Sequence, residues 1–111
     1  GGTPPYELLV ATTGVDGATR VWDLRQPAQV WSVRSQASAS CLDCKASSHH
    51  LAIGRVDGQI AMLDIRTQKE LPGFDVRVPL GLQAHPRSLS FSPCGMTLSV
   101  GCVGGELLML D

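Results

Sequence analysis

Three stretches of this chain align with one another without a gap, and no other feature restricts the fold as strongly. They run from Val10 to Arg25, from Leu51 to Arg66 and from Leu98 to Asp111. Each reads as an apolar run, a glycine-containing turn and a second apolar run that closes on an aspartate. The closing residues are Asp23, Asp64 and Asp111, so the period is 41 residues and then 47. The first spacing falls within the roughly 40–45 residues of a four-stranded blade in a radial repeat, and the second exceeds it by a short insertion. Asp16-Gly17, Asp57-Gly58 and Gly104-Gly105 supply residues that tolerate positive φ, which predicts two-residue hairpin turns.

Apolar residues occupy both faces of the predicted strands instead of alternating. Val21-Trp22, Ile60 to Leu63 and Leu107 to Leu110 are continuous runs. A strand that is apolar on both sides has to lie between two sheets. Blades packed face to face around an axis provide that, so the pattern predicts an all-β propeller of four-stranded antiparallel blades. Val30–Arg34 is the expected outer strand of the first blade. Ser40–Lys45 opens the second blade, Phe74–Arg77 closes it, and Ser88–Ser92 opens the third. The expected blades cover about 6–36, 39–77 and 87–111 of one partial propeller. On this reading the chain starts inside one blade and stops inside another, and the remaining blades lie before Gly1, after Asp111 or on both sides.

These residues resemble the WD40 repeat family. Trp22-Asp23 closes the first unit where that family carries its name-giving pair, and Phe91-Ser92-Pro93-Cys94-Gly95 is similar to its frequent Phe-Ser-Pro-Asp-Gly turn, with Cys94 in place of Asp. Leu63 and Leu110 stand where Trp22 stands, so the signature is degenerate in two units. The resemblance implies a structural role for Thr12, Asp16 and Trp22, members of a hydrogen-bonded set that also includes a histidine. The second unit keeps only Asp57 of that set, and the third has Gly104 there.

Several function classes are disfavoured. The net charge is −1, the nine Lys and Arg are scattered, and there are two Trp, one Tyr and two Phe. A nucleic-acid footprint needs a basic stripe interleaved with aromatics, so no nucleic acid is expected. No run reaches the roughly 18 apolar residues of a membrane helix, and Gly1-Gly2-Thr3-Pro4-Pro5 does not look like a signal peptide. These features predict an intracellular protein, cytoplasmic or nuclear, with Cys41, Cys44, Cys94 and Cys102 reduced.

Cys41-Leu42-Asp43-Cys44 has the spacing of redox and zinc sites, and His49-His50 follows it. On a strand, however, residues three apart point to opposite faces. Buried cysteines acting as small hydrophobes are the expectation, with a metal-binding or enzymatic domain as the alternative from another class. No Gly-x-Ser-x-Gly elbow or paired carboxylates occur, and Gly101 to Gly105 lacks the lysine of a phosphate loop. No catalytic residue, metal ligand or cofactor is therefore assigned.

The favoured expectation is a non-catalytic scaffold for protein–protein interactions within a multiprotein complex. Its candidate contacts are Leu80, Leu82, His85 and Arg87, in the Val78–Arg87 insertion, and Arg55 beside the Asp57-Gly58 turn. Loops on a rigid scaffold commonly carry binding residues. Arg25 and Arg66 each follow a closing aspartate by two positions. That arrangement is similar to the extended box of WD40 substrate receptors in cullin-RING ubiquitin ligases, and the resemblance implies an adaptor as a second kind of partner.

Overall fold

The computed structural model describes residues 9–23, 28–45 and 49–111. Each repeat folds as a meander of antiparallel strands, because short apolar runs separated by tight turns pair most easily with their sequence neighbours. Strands β1 (Leu9–Thr13), β2 (Ala18–Asp23) and β3 (Ala28–Arg34) form the first sheet in that order. The second sheet is β4 (Ala39–Lys45), β5 (His50–Arg55), β6 (Gln59–Asp64) and β7 (Lys69–Asp75). The short helix α1 (Arg77–Leu80) then leads to β8 (Pro86–Phe91), β9 (Leu98–Cys102) and β10 (Leu107–Leu110), which make the third sheet. The fold is all-β in class, built of antiparallel sheets of three and four strands.

The middle sheet is buried on both faces. Leu51, Ala52 and Ile53 are successive residues of β5, and all three are fully buried. Leu51 and Ile53, with Ala61 and Leu63, pack toward Ala11, Trp31 and Val33 of the first sheet. Ala52 and Ile60 turn the other way, onto Leu98, Val100 and Cys102 of the third. Each fully buried Leu or Ile contributes roughly 1.5–3 kcal/mol, so the continuous apolar runs are what hold adjacent sheets together. Polar bonds add register. The Asp43 carboxylate accepts the Phe91 N–H at 2.7 Å, and the Ser40 hydroxyl donates to the Pro86 carbonyl, tying β4 to β8.

The structure corrects three details. The hairpin loops have three residues, not two: Val15-Asp16-Gly17, Val56-Asp57-Gly58 and Val103-Gly104-Gly105. In each, the glycine N–H bonds back over the turn, to Gly14, Arg55 and Cys102 at 3.0–3.1 Å. The glycine φ values are +82°, +93° and +89°. One left-handed residue after an ordinary turn matches the strand twist as well as two do. The Asp before glycine therefore acts as a cap: Asp16 accepts the Ala18 N–H at 3.1 Å and Asp57 the Gln59 N–H at 3.0 Å.

The second correction concerns β7, which begins at Lys69 and not near Phe74. Pro72-Gly73 lies in a bulge where the register of β6 and β7 shifts, and those residue types hide a strand from pattern reading. Third, Arg77, expected in that strand, opens α1, so part of the insertion is helical. Asp75 bends the chain there by accepting the Arg77 N–H at 2.9 Å.

Candidate protein-docking rim

The three hairpin turns and the connectors between sheets lie along one edge of the molecule. Ser35 N–H bonds to the Gly17 carbonyl and Val56 N–H to the Ser38 carbonyl, both at 2.9 Å. Val76 N–H bonds to Gly58 O at 2.9 Å, and Val103 N–H to His85 O at 3.2 Å. The Ser38 hydroxyl donates to the Val15 carbonyl at 2.6 Å. These repeated bonds hold the first residue of every turn at the surface, and that residue is a valine each time. Val15 is 92% exposed, and Val56 and Val103 about half as much. Val78 and Leu82 of the connector are also more than four-fifths exposed. Five exposed apolar residues gathered on one rim mark a docking surface.

The rim is rigid where it is charged. Arg77 grips Asp75 through two bonds, Nε to Oδ1 at 3.0 Å and a terminal nitrogen to Oδ2 at 2.9 Å, while the Gln59 amide donates to Oδ2 at 3.0 Å. The guanidinium holds the Asp75 carboxyl below the usual range, and the carboxylate raises Arg77 in return. Asp16 is likewise held low, first by the Ala18 N–H and then by Arg20 at 3.3 Å, and Arg34 lies 3.6 Å away.

The structure distributes the sequence candidates unevenly. Leu82 stands free, whereas Leu80, expected beside it in the contact patch, packs onto the core shared with the third sheet. Arg87 is exposed in a bulge of β8, and His85 is half-buried. Arg55 is only 7% exposed, although a charge beside a turn suggests a solvated side chain. Arg66 is exposed on the opposite rim, where Asp64 accepts the N–H groups of Arg66 and Thr67 at 3.0 and 3.3 Å. Arg25 lies outside the described residues.

Of the repeat positions, Trp22 Nε1 donates to the Thr12 hydroxyl at 2.9 Å. Asp16, implied to share that network, turns to its own loop and to arginines instead. Asp23 is buried, and Asp57 caps its turn. Asp111 borders a cleft of about 340 Å³ lined by Lys45, His50, Met62, Phe74 and Met96. Sequence reasoning missed the turn valines. A valine two residues before each turn glycine is their signal, legible once the loops are known to have three residues.

Among the described residues, no three His, Cys, Asp or Glu side chains converge as a metal site. Cys41 pairs with Gly54 and Cys44 with Leu51, so the two thiols occupy opposite faces of β4. Burial pushes both thiols up in pKa, whereas the Ser92 hydroxyl, 3.4 Å from Cys94, holds that thiol down. No described helix is long and apolar enough to cross a membrane.

Comparison with known proteins bears on the fold. No family model matches the chain. A ribosome biogenesis protein, the WDR12 homolog of Chlamydomonas reinhardtii, is 33% identical over 104 residues, covering 87% of this chain and 20% of that protein. The match and the antiparallel sheets are consistent with a WD40-like fragment. The chain spans about a fifth of the length of the curated relative it matches.

Proposed function

We propose that this chain is a sector of a WD40-type scaffold, without chemistry of its own, whose turn-bearing rim docks partner proteins. The observation that carries the reading is the exposed valine at the same position of all three turns, joined by Val78 and Leu82. Similarity to a WD-repeat ribosome biogenesis protein supports the scaffold role. It also supports a place in the assembly of ribosomal precursors, and hence a nuclear setting. Fold by itself does not choose among such roles.

The test replaces Val15 and Leu82 together with aspartate in the intact protein and follows co-sedimentation with ribosomal precursor particles. Both side chains are exposed, so thermal stability should change by no more than about 0.5 kcal/mol while co-sedimentation is lost. Wild-type protein that never enters such particles, or a double variant that enters them normally, overturns the proposal. A cullin-RING adaptor would have to use the opposite rim at Arg66. Binding abolished by Arg66→Glu and untouched by the rim variant would favour that reading instead.

A further inference from the structure

The boundary between the first and second sheets contains two polar groups that the fold leaves unsatisfied. Arg55 is the last residue of β5 and follows Ile53 by two positions, which puts it on the face that packs toward the first sheet. It is 7% exposed, and its guanidinium has no hydrogen-bond or ion-pair partner among the described residues. Thr19 of β2 is 2% exposed, and its Oγ1 is buried with no hydrogen-bond partner. Thr19 lies opposite Val33 in register, and Val33 faces the second sheet.

The repeat brings these two groups to one place. Thr19 stands two residues after its turn glycine, as Ile60 does, and Arg55 stands three residues before its own, as Cys102 does. Ile60 and Cys102 belong to one buried cluster between the second and third sheets. At the equivalent point between the first and second sheets, the same two positions hold a hydroxyl and a cation. An apolar contact has been replaced by a pair of donors, and a guanidinium withdrawn from water is unfavourable until an anion meets it.

The nearby carboxylates do not supply that anion. Asp16 is taken by the Ala18 N–H, Arg20 and Arg34, and Asp57 by the Gln59 N–H. They do set what can enter. Carboxylates in the two turns that border the crevice repel a phosphate dianion more than a single carboxylate. A guanidinium edge with one hydroxyl also matches two oxygens better than three. Val15 and Val56, exposed in those same turns, offer apolar contact on either side.

We propose that Arg55 and Thr19 form a receptor for an acidic side chain of a docking partner, one whose neighbouring residues are apolar. The receptor rests on the rim-docking reading and names its recognition element: the carboxylate enters between the sheets while its neighbours cover the turn valines.

The probe is a blocked Leu-Glu-Leu peptide, with Leu-Gln-Leu and inorganic phosphate as the comparison arms. It is titrated into the intact protein while the Arg55 Nε–H and the Val15 and Val56 methyl resonances are followed. The acidic peptide should shift all three together, and binding should weaken about tenfold for the glutamine peptide and for Arg55→Gln. Thr19→Val should weaken it less, and Arg55→Lys should restore part of the loss relative to Arg55→Gln. The wild-type titration does not depend on any variant folding. Methyl shifts with both peptides and a silent Arg55 would overturn the receptor while leaving rim docking intact. No shift of any kind overturns the receptor and counts against rim docking too. Phosphate binding as tight as that of the acidic peptide would overturn the carboxylate assignment.

Discussion

Asp75 holds the corner where β7 gives way to α1, and it does so as an ion. Its carboxylate accepts two bonds from the Arg77 side chain, one from the Arg77 backbone and one from Gln59, and Arg77 holds its pKa below the ordinary 3.8. A carboxyl whose folded-state pKa is depressed contributes stability that is fully present above its unfolded pKa and is lost as pH falls through the folded value. Asp75→Asn should therefore lower the urea midpoint at pH 6, and the gap from wild type should narrow as the pH is taken below 3.8. An unchanging gap would mean that the charge contributes nothing. Residue roles of this kind were only partly legible in the sequence. Thr12 and Trp22 announce their bond because equal register places them on adjacent strands. Asp16 is different. Its partner Arg34 arrives from β3, and no local pattern shows which of several acceptors a guanidinium will choose.

At the scale of elements, the turns were legible as turns but not in their length. An Asp-Gly pair suits a two-residue loop and a three-residue loop equally, and only the register of the flanking strands decides. The three glycines share a left-handed φ yet differ in their surroundings. A Cβ at Gly17 would collide with the Ser35 carbonyl oxygen, whereas one at Gly105 would meet nothing. Gly105→Ala should cost only the left-handed penalty, about 1–2 kcal/mol. Gly17→Ala should cost that and the displacement of Ser35 as well, about 1–3 kcal/mol more. Equal unfolding midpoints for the two variants would show that the close approach is immaterial. The bulge at Pro72-Gly73 carries a related lesson. Proline and glycine read as strand breakers, but here they let β7 bend along β6 and continue to Asp75, where the rim connector begins.

For the whole molecule, the strongest sequence signal was also the one with the largest energetic consequence. Apolar residues on both faces of β5 and β6 required a sheet on either side, and the two buried clusters lie there. What the sequence could not show is how separate those clusters are. Leu63 packs only toward the first sheet and Leu98 only with the second-to-third-sheet cluster. When repeats touch only their neighbours, stability is close to a sum of sheet and interface contributions, and a defect at one interface stays local. Leu63→Ala and Leu98→Ala should each cost roughly 2–5 kcal/mol. Hydrogen exchange should then separate them: Leu63→Ala speeds amide exchange in β1 to β7 and spares β8 to β10, while Leu98→Ala speeds β4 to β10 and spares β1 to β3. Uniform acceleration by either variant would show that the three sheets open as one unit. Local opening bears directly on docking, because the rim crosses both interfaces. A partner seated on Val15, Val56 and Val103 bridges three sheets, and would slow exchange most at the weaker of the two boundaries, the one that holds Arg55 and Thr19.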